Sequence, residues 1–388
     1  MRRARGCYAI GYRFLGDHRQ SDHQGAQHRL KMTASEHYRD SDDSTADSRS
    51  SWLLDRTEAL CRADTTTGLE DQGLPFLRSL LSELGAEVQL QQVAPRRHNV
   101  LATWGKPKLL FSTHLDTVPP FIPPRRSGDL LSGRGTCDAK GQIATQLASI
   151  QDLMRVGHTD LAWLGVVGEE TDSIGAAAAA DLSPYLGDCV AVINGEPTEN
   201  KLATGQRGSL QLRLSTRGKA AHSGMPELGQ SAIWPMLDWL QRLRELKSDS
   251  DPDLGSEIWN LGVISGGVTP NIIPADAAAQ LFVRSIPDST FARRARMLAP
   301  SEGSIEQVSF TPAEVFARVP GFEHATVPFG SDAPRLRQIV GGQRAALCGP
   351  GTIKVAHTLN EHITGSEMKQ GCELLTSLAT TLLKEQAE

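Results

Sequence analysis

The chain has 388 residues, more than one compact core ordinarily holds, and is read as two domains. It is 39% hydrophobic and 22% charged with a formal net charge of -5, an ordinary globular balance that gives no reason to expect a nucleic-acid partner. No apolar run approaches the roughly 18 residues of a membrane span, and the six cysteines form no Cys-x-x-Cys pair, so they read as free thiols of a cytoplasmic protein rather than as a zinc site.

In chain order, Arg2, Arg3 and Arg5 are followed by no apolar stretch, which argues against a secretory signal. Residues 33–51 are polar and are expected to be disordered. Residues 1–51 then form a leader, in the simplest reading a non-functional one upstream of a start at Met32, with a transit peptide as the alternative. Apolar spacing predicts helices over 52–62 and 69–84, the second ended by Gly85. Residues 87–93 alternate like a strand. Three short apolar runs follow, 108–113, 161–168 and 189–194, separated by a helical stretch at 141–156 and an alanine-rich one at 175–186. Buried strands alternating with helices predict an α/β domain with a mainly parallel sheet, its first part over 52–205.

The pattern then changes. Residues 209–216 alternate as a half-exposed strand, 231–247 form an amphipathic helix, and 277–285 form another strand. This predicts a smaller α+β insertion over 206–312, after which 313–388 return to the first domain and end in a helix at 366–385.

In an open α/β sheet, functional groups collect beyond the carboxyl ends of the strands. Here the three runs end in His114-Leu-Asp116, in Glu169-Glu170, and in Glu196 within Asn-Gly-Glu-Pro-Thr. Asp138 sits just before a helix in Gly-Arg-Gly-Thr-Cys-Asp-Ala-Lys-Gly. Each alone has a bland reading: a surface histidine, a helix cap, a solvated turn, a loop acid. Together, carboxylates at one sheet edge repel one another unless cations neutralise them. Three carboxylates and two imidazoles suit zinc, and His357, approached through Gly-Pro-Gly-Thr-Ile-Lys-Val-Ala, is the best source of the second ring.

In order and spacing, His114-x-Asp116, Gly-x-x-x-Asp138-x-Lys-Gly, Glu169-Glu170, Gly-Glu196-Pro-Thr and Ala-His357-Thr resemble the zinc metallopeptidase family of aminoacylase, acetylornithine deacetylase, succinyl-diaminopimelate desuccinylase and glutamate carboxypeptidase. The resemblance covers about 52–388 and implies a zinc-peptidase-like catalytic domain with an inserted lid and dimerisation domain. It implies two divalent metal ions, zinc with cobalt able to substitute. Asp138 would bridge them, His114 and Glu196 would complete one site, and Glu170 and His357 the other. Asp116 would orient His114, and Glu169 would be the general base. In the insertion, the resemblance casts His222 as an oxyanion donor, often reaching from the partner of a homodimer, and Arg284 as the holder of a substrate carboxylate, with Asn271 nearby. Gly330-Ser331-Asp332 resembles a loop near the substrate, a capping or turn role for Asp332 being the alternative.

The reaction expected is hydrolysis of the amide of an N-acyl amino acid, with N-acetylornithine, an arginine-biosynthesis substrate, the leading reading. A carboxypeptidase or dipeptidase of the same fold, taking short peptides, and a succinyl-diaminopimelate desuccinylase are the alternatives. A silent metal- or amino-acid-binding protein is the reading from another class, opposed by Glu169, a base that a binder has no use for.

Overall fold

The computed structural model describes residues 45–385. The expected leader lies outside the described residues as far as residue 44. Its last seven residues are not disordered: helix α1 runs Thr45–Cys61. What holds this polar start is Arg49, which donates to the Ala148 carbonyl at 3.0 Å and pairs with Asp152 at 2.6 Å. The Arg49 and Arg56 guanidinium groups both lie over the Trp52 ring, 5.7 and 5.3 Å from its centroid.

Helix α2 (Leu74–Glu83) buries Leu74, Leu77, Leu80 and Leu81 as one stripe. Strands β1 (Glu87–Ala94) and β2 (Arg97–Trp104) form a hairpin. Then come β3 (Leu109–His114), helix α3 (Lys140–Arg155), β4 (Leu161–Val166) and β5 (Val192–Asn194). The alanine-rich 175–186 is not one regular helix but three short helical segments, 174–178, 179–182 and 183–186, the last opened by Pro184.

The insertion supplies β6 (Gly208–Arg217), α4 (Ile233–Arg244), β7 (Ile258–Gly266), β8 (Asp276–Ser285), α5 (Phe291–Met297) and β9 (Gly303–Thr311). The chain returns through β10 (Ala345–Leu347) and ends in α6 (Gly365–Lys384), opened by a capping box between Thr364 and Glu367.

The first sheet has the order β1-β2-β4-β3-β5-β10. Its β4-β3, β3-β5 and β5-β10 pairings are parallel, while β1-β2 and β2-β4 are antiparallel. Side chains of β3 and β4 alternate between two cores. Leu109, Phe111, Leu161 and Trp163 join the side packed by α2, α3 and α6; Leu110, Ala162, Leu164 and Val166 join the other. Both faces are covered, which is why these strands read as unbroken apolar runs.

Register decides where the site forms. His114 pairs level with Val166, and Ser112 with Asn194. The segments that follow, carrying Glu169-Glu170 and Glu196, therefore leave the sheet at the edge where His114 ends.

The second sheet, β7-β8-β6-β9, is antiparallel throughout. Leu210, Leu212, Leu214, Ala279, Leu281 and Val283 point to one face, against Met236, Trp239 and Leu243 of α4 and Phe291 and Ala295 of α5. At its root, residues 202–206 pair with 314–315 and with 324–327.

Candidate metal centre

Six side chains from five separate segments meet at this edge. His114, the last residue of β3, places Nε2 2.8 Å from Asp138 Oδ1. The other oxygen of Asp138 lies 3.5 Å from His357 Nε2. That same nitrogen is 3.0 and 2.9 Å from the two Glu170 oxygens. Two overlapping triads result, His114–Asp138–Glu196 and Asp138–Glu170–His357, with the ligand atoms of each within 4.8 Å of one another. Asp138 belongs to both. His114, Asp138 and Glu196 are buried, whereas half of the His357 side chain is exposed.

The electrostatics of the site call for cations. Burial pushes the Glu196 carboxyl well up, and Glu169 goes well up through burial and the Glu196 charge beside it. Glu170 is raised by burial as well. Burial opposes charge on His114, yet its bonds to Asp116 and Asp138 lift the ring well above its usual range. Bonds to Asp138 and Glu170 raise His357 to about 10. Asp138 resists its burial penalty through the two histidines and stays below the usual carboxylate range. Glu196 Oε1 is buried with no hydrogen-bond partner. An orphaned carboxylate oxygen facing a histidine and a shared aspartate is what a divalent cation would satisfy, and the mixed nitrogen and oxygen donors suit zinc.

Asp116 supports the centre in two ways, one of them unexpected. Its backbone carbonyl accepts from His114 Nδ1 at 2.9 Å, which leaves Nε2 to face Asp138. Its carboxylate, 3.6 Å from that ring, instead accepts from the backbone N–H of Glu169 at 3.1 Å and of Glu170 at 3.3 Å, and from the Thr67 hydroxyl at 2.8 Å. One residue thus sets the histidine and the turn that carries Glu169. That turn depends on Gly168, whose φ of +79° suits glycine and whose added Cβ would meet Arg97 at 2.8 Å.

Arg284 lies near the end of β8, paired in register with Ser209, its guanidinium over the Phe282 ring. Burial lowers its pKa, the Glu169 carboxylate opposes that shift, and the charge of Arg207 adds to it. Arg207 was not singled out in the sequence. It is buried, bonds twice to the Leu254 carbonyl at 3.2 and 2.9 Å, and leaves Nη1 without a partner. Two cations thus neighbour each other, one of them within the field of the expected base.

His222 and Asn271 are brought together at an exposed corner of the second sheet. His222 bridges to Ile272, and Ser223 N–H donates to the Asn271 carbonyl at 3.1 Å. Among the described residues neither hydrogen-bonds to the ligand cluster.

Asp332 precedes a helical turn at 333–336 without capping it, so the capping alternative does not hold. It is 1% exposed, and among the described residues neither carboxylate oxygen has a hydrogen-bond partner. Burial raises it to about 6. Its neighbour Ser331 donates to Gln206 at 2.6 Å, which pins the loop to the root of the insertion.

Residues 204–299 match the profile of the Peptidase dimerisation domain. Over 331 residues the chain is 35% identical to a peptidase M20 domain-containing protein of Schizosaccharomyces pombe, covering 82% of each. It is 35% identical to a probable carboxypeptidase of Aspergillus niger, covering 71% of this chain and 75% of that one. In structure it superposes on a tripeptidase from Staphylococcus aureus with a TM-score of 0.71 and 20% identity, over 86% of this chain and 99% of that one.

Proposed function

The chain belongs to the M20 peptidase family of amide-bond hydrolases, and from that premise we propose that it is a two-metal carboxypeptidase that releases a residue bearing a free carboxylate. The observation that carries this is the placement of Glu169: next to Glu170 of the second triad, and within the field of the Arg284 guanidinium. Zinc ions held by His114, Asp138 and Glu196 on one side, and by Asp138, Glu170 and His357 on the other, would supply Lewis acidity toward water and the scissile carbonyl.

The chain's own residues do the rest. Asp116, through the Glu169 and Glu170 amides, holds the base at the centre. A Glu169 oxygen takes a proton from the attacking water and delivers it to the departing nitrogen. Arg284, with Arg207 behind it, binds the substrate carboxylate and fixes which amide lies over the metals. His222, reaching from the lid of a second subunit, donates to the developing oxyanion, and Asn271 steadies the loop beside it.

A terminal carboxylate is common to peptides and to N-acyl amino acids. The fungal relatives named as probable carboxypeptidases favour the peptide. The test is a hydrolysis panel in the presence of zinc or cobalt: dipeptides and tripeptides, their C-terminal amides, N-acetylornithine, N-succinyl-diaminopimelate and other N-acyl amino acids. Peptides with a free C-terminus should turn over and their amides should not. Turnover of N-acetylornithine alone would sink the carboxypeptidase reading and restore the deacetylase one.

A further inference from the structure

We propose that the buried ion pair between Arg134 and Glu361 is a positioning device for the metal centre, locking the backbone of the bridging Asp138 and tying it to the loop that carries His357. The inference rests on the two-metal reading and adds residues that no ligand role explains. Glu361 is 1% exposed and Arg134 2%. One Glu361 oxygen accepts from the backbone N–H of Cys137 at 3.2 Å and of Asp138 at 3.1 Å; the other meets Arg134 Nη1 at 2.6 Å. The guanidinium also donates to the Pro120 carbonyl at 3.3 Å, and Gly133 N–H donates to the Glu361 carbonyl at 3.0 Å.

Charge makes the arrangement informative. A further buried carboxylate beside Asp138, in a centre that already holds Asp116, Glu169, Glu170 and Glu196, adds to the repulsion unless a cation travels with it. Arg134 is that cation, so the pair adds acceptors for two amides without adding net charge. Holding the Asp138 amide leaves its side chain little freedom beyond χ1 and χ2, and Asp138 is the residue both triads share. Glu361 follows His357 by four positions on one loop. The pair thereby sets the distance between a ligand placed before α3 and one placed after β10, a span that neither segment controls alone.

The test titrates zinc against a competing chelator in metal-stripped protein, for the wild type, Glu361→Gln, and the paired Arg134→Met/Glu361→Gln change that removes both charges together. Zinc affinity should fall about 10- to 100-fold in the variants. Their kcat should fall and their KM stay near the wild-type value. Leu378→Ala, a core change in α6, should lower Tm and leave zinc affinity alone. A paired variant that binds two zinc ions as tightly as the wild type overturns the inference. So does wild-type, metal-free protein whose Cys137 and Asp138 amides exchange with solvent at the rate of an unstructured peptide, a measurement that decides even where neither variant folds. Wild-type protein that takes up no zinc would sink the two-metal reading instead.

Discussion

Glu169 is the residue whose role is sharpest. It lies beside both triads without belonging to either, and its backbone, not its carboxylate, is what Asp116 holds. Removing the carboxylate should therefore spare metal binding. For Glu169→Ala we expect kcat to fall about 10²- to 10⁴-fold, as loss of a positioned base does, with zinc stoichiometry unchanged. Full activity in that variant would refute the base assignment; loss of zinc would make Glu169 a ligand. Three of the ligands, His114, Glu170 and Glu196, are legible in the sequence because each follows a short apolar run, and Asp138 and His357 because glycine-rich segments carry them. Glu361, Arg134 and Arg207 are not. Arg134 stands inside the motif that carries Asp138, Glu361 lies four positions past His357, and a partner 227 positions away leaves no local trace. For Asp332 the sequence leaves a loop near the substrate and a capping or turn role open, and the missing side-chain bond to the helical turn at 333–336 removes the cap.

At the scale of elements, the buried strands and long helices announced themselves, since burial on one or both faces imposes a period. Strands β2, β7 and β9 did not. The first is a mixed run, Arg97-His-Asn-Val-Leu-Ala-Thr-Trp, behind a turn in which Arg96 takes a φ of 59°. The other two are edge strands of the second sheet, exposed along most of their length, so nothing forces alternation on them. The helix α5 is held at its start by Asp249, which accepts from the Thr290 amide at 2.8 Å and hydroxyl at 2.6 Å. The Thr290 hydroxyl and amide keep that carboxyl below its ordinary 3.8. A folded-state pKa below the unfolded one means stability that is present above 3.8 and lost as pH falls through the lower value, because the unfolded chain takes up the proton first. Asp249→Asn should cost about 1 kcal/mol at neutral pH, a value discounted for partial exposure, and less at an acid pH below 3.8. Thermal melts at the two pH values check this, and an equal difference at both would refute it.

Across the whole molecule, the second sheet presents an open edge. Along β7, Ile258, Leu261, Val263 and Ile264 are exposed, and Trp234 and Leu237 of α4 join them. An apolar edge strand of this length is an aggregation hazard unless another chain covers it. With residues 204–299 matching a dimerisation domain, the occupant we expect is a second copy of this chain. Val263→Lys should convert a dimer to a monomer in sedimentation. If His222 acts across the interface, activity should fall with it, while a fully active monomer would exclude that role.

The division of the centre between two stretches of chain has a consequence for its biosynthesis. Asp138, Glu170 and Glu196 leave the ribosome early, yet His357 and Glu361 follow only after the entire inserted sheet has been made. From residue 196 until residue 357 is made, the nascent polypeptide carries the acidic half of the centre without its second imidazole or Glu361. Closing it requires contacts more than two hundred positions apart, the kind that forms late and slowly. Premature termination between codons 313 and 357 therefore yields a chain that carries the whole inserted sheet and lacks His357.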